Sequence, residues 1–209
     1  MGETIKLWKK WGKIMLNQAQ KSYLLKLARS SIKHYLIKRN ILGLEISELT
    51  ELKKLNPSFF ETLGCFVTLK TLEGDLRGCI GLIESDRALI DNVIEYAVVA
   101  SQEDPRFPPI EREELDQLTL EISVMGKVEK LPSLNDIVIG KHGLIIKQGR
   151  RQGLLLPQVP VEWGWNLTQF LEHTCVKAGL SKEAYKDLAT QIFYFSAEVF
   201  SEKETSCER

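Results

Sequence analysis

The chain has 209 residues, 44% of them hydrophobic and 27% charged, and its 28 Lys and Arg are balanced by 28 Asp and Glu. A chain of this size buries about 70% of the surface its unfolded form exposes, so its core needs neither disulfide nor metal, and a formal net charge of zero excludes a global electrostatic pull on nucleic acid. No apolar run approaches the roughly 20 residues of a membrane span, no secretory signal is seen, and Cys65, Cys79, Cys175 and Cys207 form no CxxC pair, so a cytoplasmic protein with reduced thiols is expected.

Residues 1–15 place Ile5, Trp8, Trp11 and Met15 at helical spacing, with Lys6, Lys9, Lys10 and Lys13 between them. They read as a basic amphipathic extension, packing its tryptophans on its own domain or a partner, or lying on a membrane surface. Residues 17–39 follow as a long amphipathic helix with Leu24, Leu27, Ala28, Ile32, Tyr35 and Leu36 as its apolar stripe, His34 off that stripe, and Asn40 and Gly43 as stop signals. Residues 41–61 read as a connection.

Residues 64–71 and 76–81 predict two strands joined by Leu72-Glu73-Gly74-Asp75, a hairpin with a Gly-containing turn. Ser85 or Asp86 caps a helix that runs to Gln102. The three prolines of residues 104–109 bar helix there, and a short acidic helix is expected over 111–115. Residues 118–125 alternate, with Leu118, Leu120, Ile122 and Val124 on one face and Thr119, Glu121 and Ser123 on the other. Residues 143–147 and 153–156 suggest a second hairpin, and 157–164 an irregular segment. Asn166 begins a helix with Gln169 completing a capping pair, Gly179 ends it, and Ser181 caps another. Residues 191–200 form a last strand with Phe193, Phe195, Ala197 and Val199 alternating. The pattern predicts an α+β fold, one compact domain with a mixed, largely antiparallel sheet and flanking helices.

The chemistry concentrates in the second strand of the first hairpin. Arg77 and Cys79 are two residues apart, which puts them on one face of a strand, and a guanidinium beside a thiol favours the thiolate. Gly78 and Gly81 let a ligand or another backbone approach. The competing reading of Cys79 is a buried structural thiol. Asp104 and Arg106, with Phe107, sit in a proline-stiffened loop, either contacting a ligand or pairing to hold the loop in place. Glu121 lies mid-strand on the polar face, solvated or lining a cleft. His142, between Lys141 and Gly143, is a proton carrier or a hydrogen-bonded turn residue. Glu162 and Trp163 combine an acid with a large ring, suiting a pocket wall or aromatic packing. His173 and Cys175 are two apart on a helix and share no face. With no HExxH, Cys/His zinc spacing, Walker loop, GxGxxG or GxSxG, no metal and no cofactor is expected.

Leu76-Arg77-Gly78-Cys79-Ile80-Gly81 resembles the signature hexapeptide of the AMME-syndrome candidate family, called AmmeMemoRadiSam system protein A in prokaryotes. The likeness continues through Asp104-Pro105-Arg106-Phe107-Pro108, Ile139-Gly140-Lys141-His142-Gly143-Leu144, Gly149-Arg150-Arg151, Glu162-Trp163-Gly164-Trp165, Cys175-Val176-Lys177-Ala178-Gly179-Leu180 and Phe195-Ser196-Ala197-Glu198-Val199-Phe200. It covers residues 16–202, leaving 1–15 as an extension and 203–209 as a tail. The resemblance implies a domain with a larger and a smaller lobe, the hexapeptide near the groove between them, and association with a Memo-type protein and a radical SAM enzyme. It supplies no activity.

Three functions are in play. One is a ligand-binding or enzyme-like component in which Arg77 anchors an anionic group, Cys79 is nucleophile or redox centre, and His142 or Glu121 moves protons. The unknown ligand is a small molecule or a protein. A second is an adaptor that presents the hexapeptide and aromatic loops to a partner. A nucleic-acid-associated regulator is the weakest, because the net charge is zero, few basic residues are clustered and no nucleic-acid-binding motif is found.

Overall fold

The structure, a computed structural model, describes residues 16–203. The amphipathic extension at 1–15, Cys207 and the expected tail beyond Lys203 lie outside the described residues. The chain divides into two units, whose described parts are residues 16–125 with 198–203, and residues 126–197. Each contains helices and antiparallel strands, giving the α+β class that the patterning predicts.

In the first unit, helix α1 (Gln18–Lys38) starts at a capping box: Asn17 Oδ1 accepts from the Gln20 amide at 2.9 Å, and Gln20 Oε1 accepts from the Asn17 amide at 2.8 Å. It buries Leu24, Leu25, Leu27, Ala28 and Ile32. It stops at Arg39, in the left-handed region at φ 58°, before the expected Asn40 and Gly43. The segment read as a plain connection contains a second helix, α2 (Ile46–Leu55), and a 3-10 turn at Pro57–Phe60. Helix α2 buries only Leu52 and leaves Ile46 82% exposed, and its N-cap, Glu45, makes no side-chain capping bond, so no cap signal marks its start.

Strands β1 (Cys65–Thr71) and β2 (Leu76–Gly81) form the expected hairpin, with Gly74 at φ 104° in its turn. Helix α3 (Leu89–Gln102) begins later than expected. Ser85 Oγ accepts from the Arg87 amide at 3.0 Å, closing a local turn instead of capping, and Ala88 is the N-cap. Residues 112–114 are a turn followed by a 3-10 segment at Leu115–Gln117, where a short helix was expected. Strand β3 (Leu118–Met125) pairs antiparallel with β1, so the order in this unit is β2-β1-β3. Val67, Leu69, Leu120 and Ile122 pack with Ile90, Val93 and Ala97 of α3 and with Leu24, Ala28 and Ile32 of α1 in one apolar cluster. The opposite strand positions carry the polar residues considered below.

In the second unit, strands β4 (Glu129–Lys130), β5 (His142–Gln148), β6 (Arg151–Leu155) and β7 (Gln191–Ser201) pair antiparallel in the order β4-β7-β5-β6. Beyond Ala197, β7 belongs to the first unit. The region read as irregular contains a one-turn helix, α4 (Val159–Glu162). Helix α5 (Leu167–Lys177) has the expected capping box of Asn166 and Gln169. It ends on Gly179 at φ 71°, with the Leu180 amide bonded to Cys175 O at 2.9 Å, a Schellman closure. Ser181 precedes a 3-10 segment, Lys182–Lys186, and makes no side-chain cap to it. Leu144, Ile146, Phe170, Leu171, Cys175 and Tyr194 form this unit's core. Strand β7 departs from the expected alternation: Tyr194 and Phe195 are both buried, while Val199 is 37% exposed. Both faces of β7 are covered here, Tyr194 joining the core and Phe195 filling the space left by Gly143. Among the described residues no helix is long and apolar enough to cross a membrane.

Candidate functional site

Thr68 organises one face of the first unit's strands. It stands opposite Cys79 on one side and Glu121 on the other. Non-hydrogen-bonded antiparallel pairs bring side chains close, and Thr68 Oγ1 donates to Cys79 Sγ at 3.2 Å. Two positions along β1, Lys70 reaches Glu121 at 2.9 Å. An ammonium, a carboxylate, a hydroxyl and a thiol thus lie on one face of three hydrogen-bonded strands.

The backbone of Cys79 is held from the loop that follows α3. Its amide donates to Asp104 Oδ2 at 2.8 Å, and its carbonyl accepts from Arg106 Nη2 at 3.2 Å. Asp104 is buried and also accepts from the Arg106 amide at 3.1 Å, from Nε at 2.9 Å and from Nη2 at 2.6 Å. Paired first of all to Arg106, and further bonded to two backbone amides, its carboxyl is held well below the usual carboxylate range despite burial. Of the two readings of Asp104 and Arg106, this geometry describes a clamp: the pair pins its own loop and the strand beside it.

Arg77 does not flank the thiol as strand alternation suggested. The register shifts between Leu69 and Lys70, which pair with Gly78 and Leu76, so Arg77 is the extra residue of a bulge and regular alternation fails there. Its guanidinium is bonded to Glu114 at 2.5 and 3.0 Å and to Pro108 O at 2.9 Å. The guanidinium that acts on Cys79 is that of Arg106. Burial raises the thiol pKa above its ordinary value; Thr68 and Arg106 pull it down in part, while Asp104 and Glu121 push it up. The expectation of a stabilised thiolate is therefore corrected: the resting group is a protonated thiol. Phe107 lies beneath both arginines, its ring centroid 5.9 Å from Arg77 Cζ and 5.4 Å from Arg106 Cζ.

Gly78 and Gly81 serve the chain's own packing. A Cβ at Gly78 would collide with the Ala100 carbonyl of α3, and one at Gly81 with the Cys65 carbonyl and Phe66. Their open sides are filled by backbone, so neither presents a gap to a ligand.

His142, Glu162 and Trp163 belong to the second unit. His142 is 4% exposed, and its Nδ1 accepts from the Val138 amide at 3.2 Å. Burial first, and Lys141 second, lower its pKa below the ordinary value. The ring thus sits buried and hydrogen-bonded at the first position of β5, held neutral near pH 7. Glu162 is exposed and Trp163 is 70% exposed. Trp163 stacks on Trp165, and Trp165 on His173.

Thr68, Lys70 and Glu114 escaped the sequence reading. Thr68 was within reach, because counting back evenly from a four-residue turn sets position 68 against 79. Lys70 follows from the same alternation. Glu114 gives no local signal, since its partner lies 37 residues away. Among the described residues no group of three or more His, Cys, Asp and Glu is gathered to hold a metal ion.

A family model described as AMMECR1 matches residues 25–200. A protein of Thermococcus gammatolerans is 42% identical over 192 residues, covering 87% of this chain and 89% of its own, and one of Aquifex aeolicus is 44% identical over 166 residues, covering 77% and 85%. The crystal structure of the uncharacterized protein PH0010 from Pyrococcus horikoshii superposes with a TM-score of 0.78 at 37% identity, covering 87% of this chain and 90% of that one. The hexapeptide strand, its clamp loop and the two-tryptophan turn all fall within the matched span, and the chain belongs to the AMMECR1 family.

Proposed function

We propose that this protein is a ligand-binding, enzyme-like component whose working surface is the polar strand face centred on Cys79, acting in the cytoplasm with a Memo-type protein and a radical SAM enzyme. One observation carries the reading. Cys79 is half-buried, its backbone is fixed from one side by Asp104 and Arg106, and its sulfur is hydrogen-bonded by Thr68 in a row with Glu121 and Lys70. Polar groups held this firmly on strands are preorganised to receive a ligand without further ordering cost. The raised thiol pKa means that Cys79 meets its ligand as a neutral hydrogen-bonding group. It becomes a nucleophile only where the ligand or a partner takes its proton.

The test is alkylation of Cys79 by iodoacetamide, read by mass spectrometry against a Cys79→Ala control, with and without the low-molecular-mass fraction of the native cell extract. Among the described residues Cys65 and Cys175 are fully buried, and a Cys207→Ser background removes the remaining thiol from the readout. Protection by the extract that is lost in Lys70→Ala supports the reading. Equal alkylation with and without extract removes its basis.

A further inference from the structure

The clamp on Cys79 has a free edge. Arg106 pairs side-on with Asp104 through Nε and Nη2, and Nη2 also donates to the Cys79 carbonyl. Its Nη1 has no hydrogen-bond partner among the described residues. Arg77, the other arginine over Phe107, differs: its Nε, Nη1 and Nη2 are all bonded, and its side chain is mostly buried. The Asp104 carboxylate on one edge and the Phe107 ring hold the Arg106 guanidinium in place, so its open nitrogen meets a ligand with little further ordering.

The charges around the sulfur decide what that nitrogen can hold. Of the charged groups Arg106 bears on it most, then Asp104 and Glu121; Glu103, exposed and next to Asp104 in the chain, is not among them. Lys70 answers Glu121 at 2.9 Å, so the four charges cancel in sum. They do not cancel at the surface. In both pairs the acid is the more buried partner: the side chain of Asp104 is 2% exposed against 52% for Arg106, and that of Glu121 19% against 33% for Lys70. A ligand approaching Cys79 from solvent therefore meets cationic donors first. One free nitrogen on an already paired guanidinium suits a monoanion, whereas a phosphate dianion calls for several donors. Resting on the Cys79 surface proposed above, we infer that its ligand is a small carboxylate, one oxygen of which accepts from Arg106 Nη1 beside the sulfur.

The test compares two alkylating agents on the full chain in a Cys207→Ser background, read by mass spectrometry of the Cys79 peptide. Iodoacetate carries a carboxylate, and iodoacetamide is its neutral isostere. Both attack the same thiolate, so the thiolate fraction cancels in the ratio of their rates. At low salt the ratio of iodoacetate to iodoacetamide should be about threefold higher in the folded chain than in the urea-unfolded one, and about 0.5 M sodium chloride should remove the excess. Asp104→Asn combined with Arg106→Gln deletes the pair without changing net charge and should abolish the excess too. If that variant misfolds, the salt titration of the wild-type fold decides alone. A folded ratio no higher than the unfolded one overturns the proposal, and so does an excess that salt leaves unchanged or that persists in the folded double variant. Stronger slowing of iodoacetate by inorganic phosphate than by acetate, at equal ionic strength, overturns the choice of a carboxylate. No cell extract enters the measurement, so its failure leaves protection of Cys79 by extract standing as the separate test of the surface itself.

Discussion

The strand edge at Cys79 and the tryptophan ladder at Trp163 invite opposite uses of the same residue types. At the strand edge the charged groups are paired within the chain: Asp104 with Arg106, Arg77 with Glu114, Lys70 with Glu121. At the ladder an aromatic ring and a carboxylate are left in solvent. The first region spends its arginines on holding a strand and a loop in register. The second has its geometry fixed from beneath and its surface left over. Pairing and burial, more than residue type, separate a group that holds from a group that contacts.

That contrast breaks most visibly at Asp104. Asp104→Ala orphans the Cys79 amide and frees Arg106, and should cost about 2–4 kcal/mol in urea unfolding. The carboxyl has a depressed pKa in the folded chain, so its stabilisation is complete above about pH 5. It drains away as pH falls through the ordinary carboxylate value of about 4 towards the lower native one. Unfolding profiles between pH 7 and 3 should therefore be steeper at the acid end for wild type than for Asp104→Asn, and equal slopes contradict the clamp.

Two glycines sharpen the comparison. Gly78→Ala drives a methyl into the Ala100 carbonyl and should destabilise by about 2–3 kcal/mol through overpacking. Gly164→Ala meets no atom within 4 Å, so it pays only left-handed backbone strain, about 1–2 kcal/mol. A calorimetric melt that ranks them the other way reverses the argument. Thr68→Val removes the donor that pulls the Cys79 pKa down, and alkylation at fixed neutral pH should slow; a faster reaction counts against the assigned hydrogen bond. The smallest effect is expected at Trp163→Ala, within about 0.5 kcal/mol in the same melt, because the ring is already in solvent.

The sequence made the elements with strong local signals legible: the hairpin around Gly74, β3 with its clean alternation, and α5 between Asn166 and Gly179. Helix α2 was hidden because Glu45 stands at its N-cap where no capping residue marks a start, and the start of α3 because Ser85 closes a turn instead of capping. At the candidate site, alternation placed Glu121 on the polar face but misplaced Arg77, because a bulge adds a residue that no periodicity records. Arg106 as the cation nearest the thiol, and His173 as the foot of the tryptophan ladder, depend on contacts between distant segments, which spacing along the chain does not encode.

The clamp has a consequence for solubility. Strand β2 is the terminal strand of its sheet, and an uncovered row of amides and carbonyls there is a template on which a second chain can add. Asp104 and Arg106 occupy the amide and the carbonyl of Cys79, the middle of that row. Acid that protonates Asp104, or a variant that deletes it, would unplug the template, so fibrillar aggregates seeded by residues 76–81 are the form in which damage to this loop should surface.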